Sequence, residues 1–267
     1  MHKTKNIIRP FIFRPFLSQP WRQKETGVLC RRLEPPHYHD LEKLAKAILS
    51  VKEQEFWYQL PPQGSRRLEW LLGRAAAKDA IRQFAQENYH RDLTYLNLEI
   101  LSTPSGKPRV SCPHLAVAEI NLEVSISHTQ GYILAAIAPS NHHIGIDMER
   151  LGHVQMADCQ SVAFTSAELK LLAQFDELEL LGCWCAKEAA AKAMGLGLQG
   201  KPKQWQITNY AKDASQVQVT YAEQVFSVNL WYGNREVVAI CQYSHAHNGE
   251  IQNFGFEGTG NREQKFS

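Results

Sequence analysis

The spacing of apolar residues predicts five helices before position 200, and most of them carry a recognisable start or stop signal. They cover residues 41–49, 50–60, 66–86, 165–175 and 177–194. Capping-box patterns begin two of them, at Ser50 and at Thr165. Repeated glycines from Gly195 onward predict the end of the last helix.

Strands are predicted where apolar residues alternate with polar ones or form short continuous runs. These segments are residues 96–101, 122–128, 132–138, 144–149, 205–210, 217–221, 225–231 and 236–243. A turn at 129–131 joins the second and third segments into a hairpin. Ser127 and His128 therefore lie at the tip of this hairpin.

The same order of elements occurs twice, because 66–138 and 144–243 each combine a long helix with strands and a hairpin. This pattern predicts an α+β fold with a duplicated unit, although no residue-level repeat is obvious. The predicted parts are an irregular N-terminal arm at 1–37, an N-terminal half at 38–138, a C-terminal half at 139–244 and a disordered tail at 245–267.

Composition changes this picture little. The chain has 267 residues, of which 44% are hydrophobic, as expected of a globular protein with a real core. Its 29 basic and 27 acidic residues leave a net charge of +2, which neither indicates nor excludes nucleic acid. No apolar run reaches membrane-spanning length and no signal peptide is recognisable. With no positive indication of either, we expect neither a nucleic-acid nor a membrane partner.

The six cysteines are scattered without the spacing of a disulfide framework. Reduced thiols and a cytoplasmic location are therefore expected. Cys183 and Cys185 are too close together for the usual zinc-ligand pair, and no second pair exists.

Two carboxylates share one face of the predicted strand 144–149. Its apolar residues take the buried face, so a period of two places Asp147 and Glu149 side by side, about 7 Å apart. Like charges at this spacing repel unless a cation neutralises them, and Mg²⁺ often binds only one or two carboxylates. Gly145 leaves room for a close approach, which favours a site over a solvated strand face.

The last predicted helix presents an acid and two amines. Helical spacing puts Trp184, Glu188 and Lys192 on one face with Lys187 beside them. Taken alone, this is the pattern of an ordinary ion pair on a surface helix. A carboxylate pair across a cleft would make it part of a site.

Two further segments could hold phosphate. Lys107 lies on a tight Gly-Lys-Pro turn, where an exposed structural role is the alternative. His128 adjoins the Ser127 hydroxyl at a hairpin tip, and these two groups could bind a phosphate together.

Together these motifs resemble the 4′-phosphopantetheinyl transferases of the long, pseudodimeric, surfactin-synthetase-activating type, as distinct from the short trimeric carrier-protein synthases. The motifs are Gly106-Lys-Pro108, Ser125-Ile-Ser-His128, Ile144-Gly-Ile-Asp-Met-Glu149, Phe164-Thr-x-x-Glu168 and Trp184-x-x-Lys-Glu-x-x-x-Lys192. They follow the family order and spacing between about residues 66 and 200. Leu71-Leu-Gly-Arg74 also looks like the family's first-half helix.

The resemblance implies two similar α+β halves with the active site between them. It implies Mg²⁺-dependent transfer of the phosphopantetheine arm of coenzyme A to a serine of an apo acyl, polyketide or peptidyl carrier protein, with release of 3′,5′-ADP. A pseudodimer needs no second chain, so a monomer is expected. The carrier could serve fatty acid, polyketide or nonribosomal peptide synthesis.

The resemblance also implies roles for single residues. The catalytic set would be Glu188, Lys192 and Asp147, and the Mg²⁺ ligands would be Asp147, Glu149 and Glu188. Contacts to coenzyme A would come from Lys107, Ser127, His128, Lys187 and Lys192, although Lys187 could instead be the structural partner of a nearby acid. The family's usual basic residue for the 3′-phosphate has no clear counterpart, so that role passes to Arg66, Arg67 or Arg74.

Two other functions are compatible with these residues. One is a coenzyme A or carrier-protein binding module without catalysis, which the complete set of carboxylates and Lys192 disfavours. The other is a Mg²⁺-dependent phosphodiester hydrolase, which would not require the Gly-Lys-Pro and Ser-His elements.

Overall fold

The structure is a computed structural model that describes residues 22–23, 28–33, 41–112, 121–152, 156–211, 213, 215–245 and 251–253. Its helices are α1 (Leu41–Ile48), α2 (Val51–Gln59), α3 (Arg66–Tyr89), α4 (Met156–Ala163), α5 (Ser166–Leu171) and α6 (Glu177–Met194). Its strands are β1 (Arg22–Gln23), β2 (Val28–Leu33), β3 (Glu99–Ser102), β4 (Pro108–Ser111), β5 (Leu122–Thr129), β6 (Tyr132–Pro139), β7 (His143–Arg150), β8 (Gln206–Tyr210), β9 (Gln216–Tyr221), β10 (Gln224–Tyr232), β11 (Glu236–His245) and β12 (Ile251–Asn253).

The strands form two antiparallel sheets. The first has the order β1-β2-β6-β5-β4-β3, and the second has the order β12-β11-β10-β9-β8 with β7 paired to β11. Five strands of the first sheet thus match five of the second in order, from β2-β6-β5-β4-β3 to β7-β11-β10-β9-β8. The predicted α+β fold with two similar halves is confirmed.

The buried apolar residues form three clusters, which lie between four layers of secondary structure. One cluster packs α3 and the first two helices on the first sheet, and a second packs α6 on the second sheet. The third lies between the sheets, where residues of β6 such as Leu134 meet Ile146 of β7 and Ile240 of β11. The layers therefore run helix, sheet, sheet, helix, and β7 lies in the middle of the molecule.

A buried lysine–glutamate pair organises the first half. The Lys78 ammonium lies 2.5 Å from the carboxylate of Glu53 and donates to the carbonyl oxygens of Ile48 and Tyr95. Glu53 also closes the capping box of α2 and accepts from the backbone N–H of Ile100. Every charge in this dry network therefore has a partner, as burial of an ion pair requires.

The second half repeats this network with the same partners. Lys187 lies 2.7 Å from Glu168 and donates to the carbonyl oxygens of Ala163 and Pro202. Glu168 closes the capping box of α5 and accepts from the backbone N–H of Ile207. In both halves one carbonyl precedes the N-cap residue by two positions, and the other precedes the isoleucine by five.

The helices that carry these lysines share a residue-level repeat, contrary to the expectation from the sequence. Segments 71–80 and 180–189 both begin Leu-Leu-Gly and end Ala-Lys-acid-Ala. Together with the capping boxes at Ser50 and Thr165, this repeat supplies the residues that build the two lysine–glutamate networks.

Two predicted boundaries change. Residues 28–33 are not irregular, because β2 pairs with β6 inside the first sheet. Residues 251–253 are not disordered, because β12 pairs with the end of β11. The remaining parts of the predicted arm and tail, except 22–23 in β1 and His245 in β11, lie outside the described residues.

Other elements were missed or shifted. Helix α4 and strand β4 had no signal in the pattern, and β3 begins later than predicted because a 3-10 helix occupies Tyr95–Asn97. No helix within the described ranges is long and apolar enough to cross a membrane.

Candidate active site

The two halves are joined along β5 and β7 by serine side chains. Ser125 Oγ accepts a hydrogen bond from the backbone N–H of Ile146 at 3.0 Å, and Ser127 Oγ accepts from that of Met148 at 3.2 Å. Strand β5 pairs with β6 and β4, and β7 pairs with β11, so β5 and β7 share no backbone ladder. Serine side chains supply the hydrogen bonds between them instead. We call this contact the seam.

The seam brings β5 hydroxyls to both β7 carboxylates. Asp147 Oδ1 accepts from Ser127 Oγ at 2.8 Å and from Lys192 Nζ at 2.7 Å. Glu149 Oε2 accepts from Thr129 Oγ1 at 2.8 Å. The other oxygen of Asp147, Oδ2, is buried without a hydrogen-bond partner. Such an oxygen is available to a ligand that enters the site.

Helix α6 lies directly against β7 because Gly145 has no side chain. A Cβ atom at Gly145 would be 1.9 Å from the carbonyl oxygen of Ala189 and 2.4 Å from the backbone nitrogen of Ala193. This approach carries Lys192 to Asp147 and places Glu188 within electrostatic range of both β7 carboxylates. The predicted room for close approach at Gly145 is thus filled by α6.

Burial and its neighbours perturb the acid of this helix. Removal from water raises the pKa of Glu188 to about 7, with Lys192 opposing the rise and Asp147 and Glu149 adding to it. Burial lowers the pKa of Lys192, but Asp147 and Glu188 outweigh that effect and leave it above the usual value. At neutral pH the site therefore holds a charged lysine beside an acid that is near its titration point.

The raised pKa predicts a pH-dependent stability. Between the ordinary value of 4.5 and about 7, the folded state binds more protons at Glu188 than the unfolded state, so this stabilisation is lost as pH rises through 7. In EDTA, Glu188→Gln should be more stable than the unchanged protein by roughly 2 kcal/mol at about pH 8 and by little near about pH 5. Thermal unfolding across this range checks it, and a pH-independent difference would contradict it.

A cavity of about 530 Å³ opens over these groups. This volume lies in the range of small-molecule sites, roughly 300–1,000 Å³. Its polar lining is Ser127, His128, Asp147, Glu149, Glu188 and Lys192, and its apolar lining is Ile126, Val162, Ala163 and Trp184. Six of the predicted site residues, from three separate segments, therefore face one space.

Two of the predicted phosphate contacts, His128 and Lys107, each lie beside a carboxylate. The His128 side chain is about half exposed at the cavity wall, with Nδ1 3.5 Å from the carboxylate of Glu69. Lys107 forms an ion pair with Glu123 and packs beside Gly195, at the end of α6. Lys107 is not part of the cavity lining, so its contact with coenzyme A stays a prediction.

Three predicted cofactor contacts are corrected. Lys187 is fully buried against Glu168 and is not part of the cavity lining, so it is the structural partner that the sequence left as an alternative. Arg67 donates to the carbonyl oxygens of residues 58 and 60 at the end of α2. Arg74 is buried, stacks on Trp70 and donates to the carbonyl of residue 100. Backbone carbonyls thus bind the guanidinium groups of Arg67 and Arg74. Arg66 is exposed, and its contact with coenzyme A stays a prediction.

Lys187→Met should lower the free energy of unfolding by about 3 kcal/mol, because it leaves Glu168 buried without its charge partner. Urea unfolding measures this loss. The KM for coenzyme A should not change, whereas loss of a phosphate contact would raise it. A raised KM with unchanged stability would restore the original assignment.

The predicted Mg²⁺ triad is not assembled in advance. In the part of the chain that the structure describes, no group of three or more His, Cys, Asp or Glu side chains could hold a metal ion. Lys192 instead neutralises Asp147. The unpartnered Oδ2 of Asp147 still fits a hard cation that takes one or two carboxylates and completes its shell with phosphates.

Thr129 holds Glu149 although it was not among the predicted site residues. The signal was present, because Thr129 continues the period-two face of Ser125 and Ser127. It was overlooked because the hairpin tip was placed one residue too early.

Comparison with known proteins gives consistent matches. The 4′-phosphopantetheinyl transferase superfamily matches residues 143–241. Holo-[acyl-carrier-protein] synthase of Bacillus subtilis (strain 168) is 33% identical over 96 residues, 36% of this chain and 76% of the relative. That of Geobacillus kaustophilus (strain HTA426) is 31% identical over 116 residues, 43% of this chain and 79% of the relative.

A solved structure of a holo-(acyl-carrier-protein) synthase from Bacillus anthracis str. Ames, in complex with CoA (3′,5′-ADP), also matches. It is 24% identical, and the match covers 42% of this chain and 94% of that chain with a TM-score of 0.35.

Proposed function

Because this chain belongs to the 4′-phosphopantetheinyl transferase superfamily, we propose that it transfers the phosphopantetheine arm of coenzyme A to a serine of an apo carrier protein and releases 3′,5′-ADP. The observation that carries the proposal is the cavity in which Asp147, Glu188 and Lys192 meet. These are three of the residues for which the family resemblance implied the chemistry.

The reaction needs a base and a group that neutralises phosphate charge. Glu188, with its pKa near 7, can accept the proton of the attacking serine at neutral pH, directly or through water. Lys192 stays charged and can pass from Asp147 to a phosphate oxygen of bound coenzyme A. His128, at the exposed rim, can donate to a second phosphate.

Mg²⁺ would be held by Asp147 with Glu149 and Glu188, and when bound it supplies positive charge against the pyrophosphate. The unpartnered Oδ2 of Asp147 supports this assignment. Lys192 donates to the other oxygen, Oδ1, so Asp147 would serve the lysine and the ion together.

We also propose the long, pseudodimeric type, acting as a monomer. Support comes from the two similar halves within one chain and from the repeated lysine–glutamate network. The first half provides the β5 side of the cavity and the second provides β7 and α6, so one chain supplies both walls. Free, buried thiols such as Cys183 and Cys185 suit a reducing cytoplasm.

The test is incubation of the protein with coenzyme A, Mg²⁺ and separate apo acyl, polyketide and peptidyl carrier proteins. We expect a mass gain equal to one phosphopantetheine arm on the carrier serine, with 3′,5′-ADP in the supernatant. Cleavage of coenzyme A without a carrier would favour the phosphodiester hydrolase. Binding of coenzyme A without either product would favour the binding module.

A further inference from the structure

The seam hydroxyls are arranged in step with the β7 carboxylates. Ser127 and Thr129 are two residues apart on β5, and Asp147 and Glu149 are two apart on β7. Each hydroxyl lies 2.8 Å from the carboxylate opposite it. Because side chains two apart on a strand share a face, this is a pair of matched contacts rather than one chance contact.

A carboxylate that accepts from a hydroxyl is held in place. Hydrogen bonds to an ionised acceptor are stronger than neutral ones, and both hydroxyls are buried. The like charges of Asp147 and Glu149, two positions apart on one strand, repel each other. The hydroxyls therefore oppose the repulsion that the site creates.

The Ser127 hydroxyl has no proton left for a phosphate. It accepts from the N–H of Met148, and its single O–H is donated to Asp147, which as an ionised carboxylate can only accept. Phosphate oxygens also need a donor. Ser127 could contact coenzyme A only by releasing Asp147, so its predicted role as a phosphate contact is replaced by a different one.

We propose that Ser127 and Thr129 are positioning residues, which hold Asp147 and Glu149 in the orientation that receives the divalent cation. The inference rests on the proposed function for the identity of the reaction, but the positioning itself concerns cation binding. Thr129 is chosen for the test, because valine reproduces the shape of its side chain without the hydroxyl that bonds Glu149.

Thr129→Val removes the hydroxyl and keeps the shape of the side chain, whereas Thr129→Ser keeps the hydroxyl. The matched control is Thr208→Val, which removes an exposed hydroxyl contact to Thr220 on the second sheet. The first measurement is Mn²⁺ binding by EPR in the presence of coenzyme A and without carrier protein. The second is kcat and the KM for coenzyme A in the transfer assay.

We expect Thr129→Val to weaken Mn²⁺ binding and to lower kcat by about tenfold each, with little change in the KM for coenzyme A. Thr129→Ser should stay within about twofold of the unchanged protein, as should Thr208→Val. If Thr129→Val does not fold, Thr129→Ala serves as the variant without a hydroxyl.

Unchanged Mn²⁺ affinity in a folded Thr129→Val protein would overturn the inference, as would the absence of Mn²⁺ binding in the unchanged protein. Failure of the proposed function looks different. In that case no carrier gains mass, yet Thr129→Val still weakens Mn²⁺ binding, and the positioning role stands.

Discussion

Asp147→Asn should reduce phosphopantetheine transfer by about a thousandfold while the protein remains folded. Asp147 accepts from Ser127 of the seam and from Lys192, and its Oδ2 has no hydrogen-bond partner. The amide keeps the size of the side chain but loses the charge, so Lys192 is no longer held and a cation loses its best-placed oxygen. Because Asp147 also raises the pKa of Glu188, that pKa should be lower in the variant, which makes Glu188 a weaker base.

The measurement is kcat/KM by carrier mass gain, with circular dichroism to verify the fold. Asp213→Asn is the matched control, because Asp213 lies in an exposed turn where it bonds Ser215. It should leave transfer unchanged. Glu188→Gln should lose transfer as well, since the amide cannot accept the serine proton. Full activity in folded Asp147→Asn would remove Asp147 from the catalytic set.

Gly145→Ala should lower the free energy of unfolding by about 4 kcal/mol or more, the largest stability effect that we expect from a single methyl group. The new Cβ would lie 1.9 Å from the backbone oxygen of Ala189, which no side-chain rotation can relieve. Helix α6 would have to move away from β7. That movement would also separate Lys192 from Asp147, so transfer should fall with stability.

Urea unfolding followed by tryptophan fluorescence measures the loss. Gly73→Ala is the comparison, because its Cβ would be 3.0 Å from a side-chain carbon of Ile126 that can shift. That variant should remain within about 1 kcal/mol of the unchanged protein. If Gly145→Ala does not fold, its soluble yield beside that of Gly73→Ala gives the same ranking. Equal stability of the two variants would show that α6 can give way at β7.

The two halves share a lysine–glutamate network but differ in the surroundings of the acid that follows the lysine. Glu188 follows Lys187 as Asp79 follows Lys78. Asp79 is paired with Arg82 and accepts from Tyr95, however, whereas Glu188 faces the cavity. The shared lysine ties each long helix to a capping glutamate and two backbone carbonyls outside the strands, and the residue after the lysine differs in function.

The sequence by itself determined the elements that depend on local signals. Helix α6 has its predicted limits, and Gly195 ends it in a left-handed conformation as the glycine signal predicts. Asp176 caps its start. Period two placed Asp147 and Glu149 on one face of β7, and the capping boxes at Ser50 and Thr165 were both found. These features follow from neighbours within a few positions along the chain.

Only the tertiary structure decided which partner each charge has. Lys187 precedes Glu188 by one residue and Lys192 follows it by four, and contacts to coenzyme A were predicted for both. Packing separates them, because Lys187 bonds Glu168 in the protein interior while Lys192 crosses to Asp147. Arg67 and Arg74 were misassigned for the same reason, since the carbonyls that bind them come from the end of α2 and from β3, which no local pattern connects with these arginines. The partner of a charged side chain depends on which elements meet in the fold. For Lys192 this is set by the packing of β7 between α6 and β5.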